Sequence, residues 1–136
     1  MKSHVDAPQE IVTALGLICL NLPEVEEELA WVGTRWRVRS KTFAHVVPID
    51  EAWPPAYARA TGSDGPLVVL TFCSSGPELD VLRSHERPFF APQWRKDVVG
   101  LVLDEDTDWA EVRELLTESY CALAPQTLAA TVTRPG

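Results

Sequence analysis

Between Thr34 and Lys41 the chain alternates, with Arg35, Arg37, Arg39 and Lys41 at every second position and Trp36 and Val38 filling gaps between them. Successive side chains of a strand point to opposite faces, so this spacing predicts a strand with its basic groups on one face and its apolar groups on the other. A first strand over Glu28 to Val32 precedes it, with Gly33 and Thr34 as the turn. Glu26 and Glu28 then lie across from the arginines as candidate cross-strand partners. Ser40 and Lys41 make the next turn, and Phe43 to Val47 reads as a third strand. Leu67 to Cys73 is a continuous apolar and β-branched run, the mark of a buried central strand, and Val98 to Leu103 is a further strand.

Helical spacing appears elsewhere. Ile11, Leu15, Ile18 and Leu22 predict a helix from Ala7 to about Leu20, with Asp6 as its cap and Pro8 in its first turn. Ser75 with Glu78, and Asp108 with Glu111, form capping boxes that open helices over Gly76 to Ser84 and Trp109 to Leu123. Pro125 stops the last one. The stretch from Pro48 to Pro66, rich in Pro, Ala and Gly, reads as a long surface connection with a helical turn near Ala56 to Ala60. Arg87 to Trp94 is a second irregular segment. Strands joined by tight turns and followed by helices predict an α+β fold: a two-layer sandwich, an antiparallel sheet with helices packed on one face.

With 136 residues, 46% of them hydrophobic and 24% charged, the chain fits a single globular domain spanning residues 1–136. No apolar run approaches the ~20 residues of a membrane span. The apolar patch after Lys2 is interrupted by Asp6, Pro8, Gln9 and Glu10, which argues against a signal peptide. Cys19, Cys73 and Cys121 are odd in number, widely spaced and set in apolar segments. They read as buried thiols of a cytoplasmic protein. A net charge of −8 repels polyanions at long range, so any nucleic-acid contact must be local.

Chemistry-bearing patterns are sparse. Neither phosphate-binding glycine motif occurs. His4, His45 and His85 lack metal-ligand spacing, Ser74 and Ser75 lack the setting of a nucleophile elbow, and Asp104, Glu105, Asp106 and Asp108 lack a calcium-loop pattern. The sequence therefore predicts no catalytic residue, no metal and no cofactor. Two binding surfaces remain. Arg35, Arg37, Arg39 and Lys41 would present a basic wing to DNA phosphates. Alternatively, Trp53, Tyr57, Phe89, Phe90 and Trp94, with His45 on the sheet, would contact a small molecule or a protein partner. Trp31, Trp36 and Trp109 fall on predicted core faces.

With these segments placed, the chain resembles the MmcQ/YjbR family of small bacterial proteins. The resemblance is carried by CLNLPEV at Cys19 to Val25, RVRSKTFA at Arg37 to Ala44, VVGLVLD at Val98 to Asp104 with Asp108 and Trp109, and ESYCALAPQTLAA at Glu118 to Ala130. It implies a two-layer domain like that of frataxin (CyaY-like), also compared with type III secretion chaperones, with strand wings described as a double-wing DNA-binding motif. It further implies a DNA-binding function. Val98 stands where relatives tend to have Trp, and Gln126 and Thr127 stand where they often carry basic residues.

Overall fold

The computed structural model describes residues 5–84 and 86–134, so His4 and His85 lie outside the described residues. The chain runs α1 (Gln9–Cys19), β1 (Val25–Leu29), β2 (Thr34–Val38), β3 (Lys41–Ile49), α2 (Pro55–Thr61), β4 (Leu67–Cys73), α3 (Gly76–Ser84), β5 (Phe89–Phe90), β6 (Val98–Leu103), α4 (Trp109–Leu123) and α5 (Gln126–Ala129). The strands form one sheet in the order β1-β2-β3-β4-β6-β5, antiparallel throughout. This is the α+β architecture expected from the sequence.

β6 is buried at every position and β4 at most of its positions, because both sheet faces are covered there. Their apolar residues are accordingly continuous and do not alternate. On one face Trp36, Val38, Phe43, Val46, Leu70 and Val99 pack against Leu15 and Cys19 of α1, Leu82 of α3, and Leu116 and Tyr120 of α4. On the other face α2 sets Ala58 over Val47, Ile49, Val69 and Val102. The loop helix thus adds a partial second cover to a sheet whose other helices lie on one side.

The first two strands depart from the predicted boundaries. β1 is Val25–Leu29, three residues earlier than expected, and Trp31, predicted as core, is 82% exposed beyond its end. Three consecutive glutamates are poor strand formers. Their partners override that preference: Glu28 opposes Arg35 and Glu26 opposes Arg37 in the ladder. β2 stops at Val38, because Arg39 and Ser40 take left-handed φ values of 48° and 68° and form a two-residue turn. Lys41 therefore opens β3 opposite Val38, which by register puts it on the other face from Arg35 and Arg37. The turn before β2 depends on Gly33, whose φ is +76° and where an added Cβ would lie 1.8 Å from the Val46 carbonyl oxygen.

Asp6 does not cap α1. Its carboxylate instead accepts from the Ala7 amide and the Thr34 hydroxyl, each at 2.8 Å, and ties the chain's entry to β2. α1 buries Val12, Leu15, Gly16 and Cys19, a stripe turned slightly from the predicted one. Asp108 caps α4 as expected, accepting from the amides of Ala110 and Glu111 at 3.0 and 3.2 Å. Pro125 ends α4 and also opens the short α5, which the sequence reading missed.

One irregularity shapes the sheet beside the site. The β2–β3 pairing skips Phe43, since Trp36 faces Ala44 and Arg37 faces Thr42. The buried Ser119 hydroxyl of α4 donates to the Phe43 carbonyl at 2.6 Å and accepts from the Cys73 amide at 2.8 Å. A single side chain thereby satisfies backbone groups of two strands where the ladder is disturbed.

Candidate functional site: a cleft on the sheet face

α2 covers one end of the outer sheet face and leaves the rest open. Arg35, His45, Thr71 and Gly100 oppose one another across β2, β3, β4 and β6, so they share this face. Gly100 carries no side chain, and the Phe90 ring takes its place: an added Cβ would lie 2.1 Å from Phe90 Cζ. Over the remaining row, a cleft of about 180 Å³ is bounded by Tyr57 from α2, by Trp94 and Arg95 from the β5–β6 loop, and by Cys73 at the end of β4. Tyr57 and Trp94 meet edge to face with centroids 4.9 Å apart, and His45 meets Tyr57 in the same manner at 6.5 Å.

The polar groups of the cleft are already oriented. A ring nitrogen of His45, Nε2, lies 2.7 Å from the Val32 carbonyl, so Nε2 carries the proton and Nδ1 remains an acceptor. Burial holds this imidazole below the ordinary histidine range, with the nearby Arg35 charge acting in the same direction against the Val32 hydrogen bond. The Thr71 hydroxyl donates to the His45 carbonyl at 3.4 Å, and burial pushes the Tyr57 phenol above the usual tyrosine range. Burial likewise raises the Cys73 thiol, which stays protonated at neutral pH. Arg95 pairs with Asp97 through two nitrogens, at 3.1 and 2.9 Å.

The loop bearing Trp94 is held from below by Arg83 of α3. Its guanidinium donates to the carbonyls of Pro92, Arg95 and Val98 at 3.0, 2.8 and 2.6 Å. These bonds fix an otherwise irregular segment on both sides of Trp94. The sequence alone singles out neither Arg83 nor Thr71, Cys73 and Arg95 as site groups. Thr71 had a signal: it is the one hydroxyl in the buried run LVVLTFC.

The predicted basic wing has a different form. Arg35 and Arg37 share a face of β2, but both bind Glu28, Arg37 at 2.9 Å. Arg39, in the turn, binds Glu24 at 2.7 and 3.2 Å. Hydrogen bonds from Arg39 and Arg35 hold the carboxyls of Glu24 and Glu28 below the usual carboxylate range. Lys41 is exposed on the opposite side by register. The four cations therefore do not form one free surface. Glu28 meets two arginines because the Arg37 side chain reaches diagonally past Glu26.

Of the six residues expected at an aromatic site, Tyr57, Trp94 and His45 come together. Trp53 instead packs on Trp31 with centroids 5.4 Å apart. Phe89 is buried in the helix-side core and Phe90 in the core under α2, since alternate positions of β5 face opposite ways. Among the described residues no group of three His, Cys, Asp or Glu side chains is placed to hold a metal ion, and no helix is long and apolar enough to cross a membrane.

Fold and cleft together define an antiparallel α+β sandwich with a small polar, aromatic-walled hollow on its sheet face. The chain belongs to the YjbR family, whose model matches residues 20–122. That match holds all six strands and both walls of the cleft. No match is found among curated proteins.

Proposed function

We propose that this protein is a noncatalytic binding protein and that its cleft takes a small planar molecule bearing a carboxylate or a comparable acceptor group. The observation that carries this reading is the convergence of Tyr57, Trp94 and His45 with Arg35, Thr71 and Arg95 around one hollow. At about 180 Å³ it is smaller than the roughly 300–1,000 Å³ typical of larger ligands, which suits a single-ring compound. Trp94 is 45% exposed and offers ring surface for packing. Arg35 and Arg95 each spend Nε and Nη2 on a carboxylate, which leaves Nη1 as a donor for an incoming acceptor. The absence of catalysis is part of the same reading. The Cys73 thiol is held neutral, so it is not set up as an activated nucleophile.

DNA is the partner that the family resemblance implies. Pairing of Arg35, Arg37 and Arg39 with Glu24 and Glu28, together with a net charge of −8, weighs against the wing as a phosphate-binding surface. The test of the cleft is a titration with benzoate and indole carboxylates followed by tryptophan fluorescence. Quenching that disappears in Trp94→Ala and persists in Trp53→Ala supports the assignment. Quenching that survives Trp94→Ala, or none with any ring carboxylate, removes it.

A further inference from the structure

A second recess lies on the other side of the molecule, between α3 and α4. It has a volume of about 530 Å³ and an apolar floor of Leu82 and Leu115, with Val81 60% exposed at its lip. Its walls carry Glu78 from α3 and Glu111, Glu114 and Glu118 from α4. Spacings of three, four and seven place each helix's contributions on one face, so both helices turn the same mixed surface toward the groove. Among the described residues no Lys or Arg lines it. Arg134 engages Glu118 at 2.6 Å, whereas Glu78, Glu111 and Glu114 form no ion pair among the described residues. Past Glu78 and Glu118 lies a separate hollow of about 230 Å³ that reaches Cys121 and is closed by Arg134.

We propose that this groove docks a basic amphipathic helix of a protein partner. Its apolar side chains would rest on Val81, Leu82 and Leu115, and its Lys and Arg residues would face the glutamates. From Glu111 to Glu118 the wall is about 10 Å long, enough for roughly two turns of a docked helix. Charge selects this occupant over others. A second copy of the chain carries the same net −8, and nucleic acid or an anionic membrane would meet four carboxylates. A cationic segment gains from Glu78, Glu111 and Glu114, which Arg134 does not engage, and its apolar face covers the groove floor.

The experiment is fluorescence anisotropy of a labelled peptide with Leu and Lys at helical spacing, against a peptide of the same composition in rearranged order. The ordered peptide binds more tightly. Its affinity falls about tenfold in the variant E78Q/E111Q/E114Q, as three exposed pairs warrant, and it also falls in Val81→Ser. Circular dichroism checks that both variants stay folded. These substitutions are at the groove's rim, and Glu111 caps no helix through its side chain. Four results overturn the proposal: no binding, equal binding of the rearranged peptide, affinity unchanged in both variants, or concentration-dependent self-association that Val81→Ser abolishes. The last would make a second copy the occupant.

Discussion

Ser119→Ala removes one oxygen from the interior and leaves two buried backbone groups without their partner. The hydroxyl donates to the Phe43 carbonyl at 2.6 Å and accepts from the Cys73 amide at 2.8 Å, and Ser119 is fully buried. A buried polar group that loses its hydrogen bond costs about 1–3 kcal/mol, so the pair should cost about 2–4 kcal/mol once the ladder relaxes around it. Thr117→Val is the control. Thr117 is also buried on α4, but its hydroxyl only back-bonds to the Arg113 carbonyl of its own helix at 2.7 Å, an interaction of small net effect. Urea unfolding of the two variants and the parent separates the cases. The expected outcome is a midpoint lowered by about 1 M or more for Ser119→Ala, with little change in slope, and by a fraction of that for Thr117→Val. Equal losses would refute the argument that Ser119 substitutes for missing ladder bonds at the Phe43 irregularity.

The same geometry gives other expectations. Burial favours the neutral form of His45 in the fold, so the unfolded chain binds more protons and stability falls as pH drops below about 6.5. His45→Gln keeps a donor for the Val32 carbonyl and should flatten that part of the stability profile; an unchanged slope would locate the titration elsewhere. Gly100→Ala drives a methyl against the Phe90 ring and should cost about 1–3 kcal/mol, with part of the loss recovered in combination with Phe90→Leu. Thermal unfolding of the single and double variants checks it. Duplex DNA titrated at several salt concentrations should show no salt-dependent binding, because the arginines of the wing already face carboxylates. A log-log slope of about −3.6, the value for four neutralised phosphates, would restore the wing as a nucleic-acid surface.

Much of the fold was legible because its signals are local. The run LVVLTFC, the six apolar residues of β6 and the Asp108 cap each specify their element without reference to the rest of the chain. β1 was misplaced because Glu26, Glu27 and Glu28 form a strand only through their cross-strand partners. The alternation from Arg35 to Lys41 concealed a hairpin, since Arg39 and Ser40 adopt left-handed turn positions usually held by Gly or Asn. The site was half legible for the same reason. Tyr57, Trp94 and His45 stand out by type, but Thr71 and Arg95 join them only through sheet register and through a loop that Arg83 pins from another helix. Spacing alone places Arg35 on a wing facing DNA, whereas the ladder brings it beside His45 at the cleft.

The most direct test of the cleft as the binding site is a backbone amide NMR titration with the ring carboxylate that quenches most strongly. Shifts should concentrate at Arg35, His45, Thr71 and Trp94 and leave the Trp31 and Trp53 amides in place. Shifts centred on the β1–β2 hairpin, or spread evenly over the surface, would contradict it.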